Sequence, residues 1–250
     1  MAWHEEYRDE WVRAGYRSDM GSACVVRPPA PELVRVYHLT SAEHAISDIA
    51  LSRLKVARIS DLNDPFELRA LRAAHPRTRE LLRDFRDDVD RKTGLLCFSE
   101  NWTEPVLWSH YGAKHRGICL GFDLRRTVSE PVEYADARIL SELGEANPPL
   151  ISDQLKQQLR RTKFKHWNYE QERRVFVTLE NTIPEGGLHF YPFDSNLSLA
   201  EVILGPECVL SLRDLRQFTK AIHPRAITYQ ARIAYKWFNV VPEEKTLPQE

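Results

Sequence analysis

Cysteine is scarce in this sequence: Cys24, Cys97, Cys119 and Cys208 are the four present, widely separated and without a CxxC pair. Such spacing builds neither a zinc knuckle nor a disulfide framework, so buried reduced thiols are expected. Net charge is nearly absent as well. A formal charge of −1 lacks the basic excess of a dominant nucleic-acid footprint, although Arg125-Arg126 and Arg160-Arg161 leave room for a local basic patch. No apolar run reaches the roughly eighteen residues of a transmembrane helix. The opening MAWHEEYRDEW carries acids and no apolar h-region, so it does not read as a secretory signal, and a cytoplasmic protein is expected. With no glycine-rich phosphate loop, the Rossmann and P-loop readings fail at their defining motif. No internal repeat or low-complexity segment is visible.

What is present is an ordinary globular composition, 42% hydrophobic and 28% charged over 250 residues, enough to bury a full core. Fifteen prolines and ten glycines, mostly between apolar runs, suit a loop-rich α+β domain. Trp3, Tyr7 and Trp11 fall at helical spacing and predict an amphipathic N-terminal helix, followed by a proline-bearing linker to residue 31. The domain itself is expected over 32–240, with a tail over 241–250.

Within it, Leu33–Leu39 reads as the first strand and Ser41–Leu51 as a capped helix. Leu54–Ile59 resumes a strand. Asn63-Asp64-Pro65 is a turn signal, which explains Asp64 and leaves the role of Glu67 open. A charged helix is expected over 74–92 and a buried strand over Leu95–Ser99. Pro105 starts a short helix that bears Trp108 and Tyr111, and Ile118–Phe122 is a further strand. The span 130–150 is poorly patterned, with Pro148 and Pro149 announcing a helix over 150–166. Pro184–Gly187 turns into a strand over Leu188–Phe193, and Leu199–Leu204 forms another. Ser211 caps a helix to Ile222, and unbroken alternation from Ile227 to Trp237 predicts one long final strand. The fold class is α+β, with mixed, mainly antiparallel sheets and interspersed helices.

The chemistry-bearing stretch is KHWNYEQERRVFV, Lys165–Val177. On an extended backbone Glu170 and Glu172 leave the same face, with Arg173 and Arg174 at hand for charge balance. The plainer alternative makes Glu172 and Arg174 a solvated pair at a strand start.

Four ordered strings, LNDPFE (62–67), CFSE with VLWSHYGAKHRGICLGFD (97–123), WNYEQERRV (167–175) and AEVILGP (200–206), together resemble the bacterial domain-of-unknown-function family 2971 over residues 34–237. That family label names no activity, and the opening Tyr37-His38-Leu39 departs from its usual YKY-like string. More distantly, the order of elements resembles the ADP-ribosyltransferase superfold. That resemblance implies an ADP-ribosyltransferase-like fold and an NAD-cleaving enzyme that transfers ADP-ribose to an unknown acceptor, protein or nucleic acid. It makes Glu170-Gln171-Glu172 the ExE pair, with Glu172 stabilising an oxocarbenium-like ribose and Glu170 orienting or deprotonating the acceptor. His38 or Arg35 becomes the first-strand cofactor residue, with Ser99 bracing Glu172 and Trp108 or Tyr111 stacking on nicotinamide.

Each of these has a plainer reading. His38 and Trp108 fit a core, and Ser99 fits a cap at a strand end. A rival enzyme class is a metal-dependent nuclease or phosphoesterase using His110, Asp123, Glu170 and Glu172, though compact ligand spacing is missing. A Cys97 or Cys119 thiolate with His110 or His115 is opposed by the apolar strands around both thiols. The non-enzymatic rival is a ligand-sensing or partner-binding domain in a phage-defence or toxin–antitoxin system.

Overall fold

The structure is a computed structural model and describes residues 27–140 and 151–248. The N-terminal helix expected around Trp3, Tyr7 and Trp11, Cys24, and the prolines at 148 and 149 lie outside the described residues. In chain order the strands begin with β1 (Leu33–Thr40), β2 (Arg53–Val56), β3 (Thr93–Ser99), β4 (Ile118–Arg125), β5 (Glu130–Pro131) and β6 (Glu133–Ala135). They continue with β7 (Thr162–Phe164), β8 (Glu172–Thr178), β9 (Ile183–Glu185), β10 (Leu188–Pro192), β11 (Leu197–Leu204), β12 (Ile227–Ile233) and β13 (Val240–Pro242). The α-helices are α1 (Ala42–Leu51), α2 (Pro76–Lys92), α3 (Pro105–His110), α4 (Asp153–Arg161) and α5 (Leu212–Ile222). The protein is therefore α+β, and its contacts divide it into two compact units.

Unit 1 takes residues up to Arg53, then Phe98–Val128, then Phe193 onward. Here β4 is central. It runs antiparallel to β1, with Leu33 opposite Arg125 and Thr40 opposite Ile118, and antiparallel to β11 on its other side. β11 pairs in parallel with β12, and β12 turns back on β13. The sheet is thus mixed, with the antiparallel pairs in the majority. Ile118, Leu120, Phe122, Val202, Ile203 and Leu204 are fully buried, which is why β4 and β11 read as continuous apolar runs rather than alternating ones. α1 begins as expected: Ser41 Oγ accepts from the His44 N–H at 3.3 Å. α5 is capped in the same way by Ser211 on Asp214. The long final strand is shorter than its alternation predicts. β12 stops at Ile233, and the Ala234 N–H donates to the Asn239 carbonyl to close a turn back into β13. In that turn Tyr235 (92% exposed) keeps the alternation going without burying anything, and Phe238 (96% exposed) falls off its period.

Unit 2 takes Leu54–Cys97 and Ser129–Pro192. β2, β10 and β9 form a three-stranded sheet, β6 pairs in parallel with β7, and β5 pairs antiparallel with β8. An apolar cluster joins Leu82 of α2 and Leu155 and Leu159 of α4 with Leu71 and Ile151 from the segments before those helices, and a second cluster joins Ile59, Leu68, Val89 and Leu95. The helix expected over 150–166 ends earlier, at Arg161. Thr162–Phe164 becomes β7 because Glu133–Ala135 offers it a strand to pair with, and Lys165–Glu170 winds as a 3-10 turn.

Candidate functional site

Two of the sequence motifs meet inside unit 2. In LNDPFE, Asp64 Oδ1 accepts from the Phe66 N–H at 2.9 Å and the Glu67 N–H donates to the Asp64 carbonyl at 3.2 Å. This is the Asx turn that the sequence announced. It continues into Leu68, fully buried yet in the left-handed region at φ 59°. The turn delivers Glu67 to Arg174, whose NH1 and NH2 groups donate to its two oxygens at 2.9 and 2.5 Å.

The ExE stretch arrives differently from the strand-face expectation. Glu170 closes the 3-10 turn, Gln171 is left-handed at φ 42°, and Glu172 is the first residue of β8. The reversal at Gln171 brings both carboxylates to one ammonium: Lys163 Nζ donates to Glu170 at 2.5 Å and to Glu172 at 2.9 Å. Arg174 Nε and NH2 also donate to Glu172, at 2.7 and 3.0 Å. Glu172 and Arg174 are indeed a pair, but not a solvated one, being 6% and 1% exposed. Tyr134, opposite Lys163 in the β6–β7 ladder, accepts from the Glu172 N–H through its hydroxyl at 2.8 Å. Three carboxylates and two cations are thus held in one buried cluster.

Electrostatics follow from that geometry. Burial opposes ionisation of Glu172, but Arg174 and Lys163 outweigh it and hold the carboxyl down at about 2. Burial likewise works against the charge on Lys163, and Glu172, Glu170 and Glu67 together overcome it, so the ammonium is held well above its ordinary value. Arg174 is secured in the same sense. Burial and the neighbouring Glu172 push the Cys97 thiol up, and burial does the same to Cys119, which opposes a thiolate nucleophile at either position.

Lys163 is also one wall of a pocket of about 240 Å³ within unit 2, shared with Phe66, Arg69, Arg138, Asp136 and Phe164. The Arg138 guanidinium lies 5.4 Å from the Phe66 ring centroid, and Phe164 stacks on His166 at 4.6 Å and 11°. Asp136 is paired with Lys165 at 2.7 Å. The pocket therefore combines two part-exposed phenyl rings with three cationic side chains. Neither Arg69 nor Arg138 stood out in the sequence: Arg69 follows the turn with no pattern of its own assigned, and Arg138 sits in the poorly patterned span 130–150. Lys163 was hidden inside an expected helix.

The other candidates belong to unit 1. Arg35 is enclosed: its Nε donates to Asp123 at 2.7 Å, NH2 donates to the Arg27 carbonyl at 2.9 Å, and NH1 pairs with Glu201, which also accepts from the Tyr229 hydroxyl at 3.0 Å. A register shift between Leu199 and Glu201 places Glu201 opposite Gly121. A Cβ at Gly121 would lie 2.9 Å from that of Glu201, so glycine makes this buried ion cluster possible. His38 is half-buried beside the edge of Phe98, with 6.2 Å between ring centroids. Ser99 exchanges hydrogen bonds with the backbone of Asn101 at 2.7 and 3.0 Å, capping the end of β3. Trp108 is fully buried, its indole N–H donating to the Trp102 carbonyl at 2.6 Å. Tyr111 closes α3 and lies tilted against His110. The structure thus joins Glu170 with Glu172 in unit 2, while each of the five unit 1 residues has its own local packing.

No group of three or more His, Cys, Asp or Glu side chains able to hold a metal ion occurs among the described residues. No described helix is long and apolar enough to cross a membrane. Comparison with protein-family models, with curated proteins and with solved structures returned no match.

Proposed function

We propose that the protein recognises a nucleotide in the unit 2 pocket, with NAD the first species to test. The observation that carries this reading is the convergence of Arg69, Arg138 and Lys163 with the rings of Phe66 and Phe164 around one space. Arginine and lysine bind phosphate, and a base stacks on phenyl or guanidinium planes. The Lys163 ammonium is already paired with Glu170 and Glu172, so Arg69 and Arg138 are the cations left to meet a phosphate. At about 240 Å³ the space falls just below the roughly 300–1,000 Å³ of drug-sized sites and suits one nucleotide unit rather than a whole dinucleotide.

The catalytic form of this reading is ADP-ribosyl transfer, with Glu170 and Glu172 stabilising an oxocarbenium-like ribose, as the ADP-ribosyltransferase resemblance implies. An ionised Glu172 supports it. A second form, binding without turnover, is favoured by the same residue's geometry, since both Glu172 oxygens are already taken by Arg174 and Lys163. Titration calorimetry with AMP, ADP-ribose and NAD tests the binding, and nicotinamide release in the presence of chelator tests the chemistry. Binding without release selects the second form; release that Glu172→Gln abolishes selects the first. If none of the three ligands binds, the nucleotide reading is wrong.

A further inference from the structure

A second chemical pair lies in unit 1, away from any task given to it above. Ser109, exposed on the last turn of α3, places its hydroxyl 3.2 Å from His115 Nε2. The same hydroxyl donates to the Pro105 carbonyl at 3.0 Å, and in the tautomer that leaves Nε2 unprotonated its hydrogen has a second acceptor in reach. The imidazole is held by stacking on Trp108, with ring centroids 6.5 Å apart at 15°. Its Nδ1 is buried, and no hydrogen-bond partner reaches it among the described residues.

The backbone that carries His115 is unusual. Ala113, Lys114 and His115 are successive non-glycine residues in the left-handed region, at φ 48°, 56° and 67°. Left-handed residues occur singly as a rule. This turn is fixed from several sides: the His115 N–H donates to the Trp108 carbonyl at 3.2 Å, the Gly117 N–H to the Gly112 carbonyl at 2.8 Å, and the Glu207 N–H to the His115 carbonyl at 2.9 Å. Strain maintained in this way collects where side chains must be held for a task.

We propose that Ser109 and His115 form a nucleophile–base pair that takes an acyl group from an activated carboxylic ester. Ser109 Oγ bonds to the carbonyl carbon while its proton passes to His115 Nε2. The tetrahedral adduct then expels the alkoxide, which leaves with that proton, so the acyl group ends on Ser109 and the alcohol departs neutral. Water then bonds to the acyl carbon as its proton passes to His115 Nε2, and Ser109 Oγ leaves with that proton, so the carboxylic acid departs and the serine is restored. The exposed Lys114 and Arg116 on either side of His115 favour an ester with an anionic end. Burial keeps His115 below its ordinary value, with Glu207 partly opposing, so the imidazole is the neutral base at pH 7.

The test uses the full chain and a fluorophosphonate probe, which labels serine nucleophiles with loss of fluoride, followed by peptide mapping. Label on Ser109 is expected, absent in Ser109→Ala and slowed about 100-fold in His115→Gln. In the wild type the labelling rate should fall as the pH drops and the imidazole takes up a proton. That profile does not depend on either variant folding. An unlabelled Ser109, or a rate indifferent to His115→Gln and to pH, overturns the proposal. Nucleotide binding in unit 2 is untouched by either result.

Discussion

Arg174 grips Glu67 through two parallel hydrogen bonds across 107 residues of sequence, and both side chains are buried almost completely. The same guanidinium holds Glu172, so the turn at NDPFE and the head of β8 are tied to one cation. A planar fork with five donors can do this; a lysine in its place cannot.

Removing one partner of that buried pair leaves the other charge uncompensated. Glu67→Ala and Arg174→Ala are each expected to cost about 3–5 kcal/mol of stability. The double variant should cost less than the sum of the two. Urea titrations of all four proteins measure the coupling, and simple additivity would show that the two residues act independently.

Acid should release the cluster. Glu172 is depressed from 4.5 to about 2, so its contribution is complete above the unfolded value and is lost as the pH falls through about 2. Stability measured from pH 5 down to pH 2 should decline in the wild type and decline less in Glu172→Gln.

Asp48 gives the opposite slope. Burial raises its carboxyl from 3.8 to about 7, with Arg53 partly offsetting. The folded protein then holds a proton that the unfolded chain has released, so stability is full below 3.8 and falls as the pH rises through 7. Asp48→Asn should flatten that fall. A variant as pH-sensitive as the wild type between 4 and 7 would assign the slope elsewhere.

Glycine at 117 is set by backbone, and at 94 by side chains. A Cβ on Gly117 would meet the Thr40 carbonyl oxygen at 2.1 Å, whereas one on Gly94 meets Val56 Cγ1 at 2.2 Å. A side chain can rotate away and a ladder carbonyl cannot, so Gly117→Ala should lower the melting temperature more than Gly94→Ala. In the same turn, Lys114→Gly relieves a left-handed residue and should add about 1 kcal/mol. Thermal melts rank all three.

In the pocket, Arg138→Ala and Arg69→Ala should each weaken AMP binding about tenfold, the loss of one charge-assisted contact. Arg77→Ala, on the exposed helix α2, serves as the control. Equal affinities across the set would remove the pocket from consideration.

Capping and periodicity were enough to read much of this chain. Ser41 and Ser211 cap the helices they announce, the apolar runs in β1, β4 and β11 fall where expected, and Asn63-Asp64-Pro65 makes its turn. These signals depend on neighbours within a few residues, so the sequence carries them whole. It also singled out Glu170 and Glu172. What it could not supply was their partner. Lys163 stood inside a helical pattern, and only the pairing of β7 with β6 straightens that segment and turns the ammonium to both carboxylates. The end of β12 is a similar case, since alternation persists through Tyr235 while the return to β13 decides where the strand stops. Glu67 acquires meaning only in a buried cluster of residues far apart in the chain, and Arg69 and Arg138 only where they line one pocket. Charge pairing in a low-dielectric interior depends on distance in space and carries no period along the sequence.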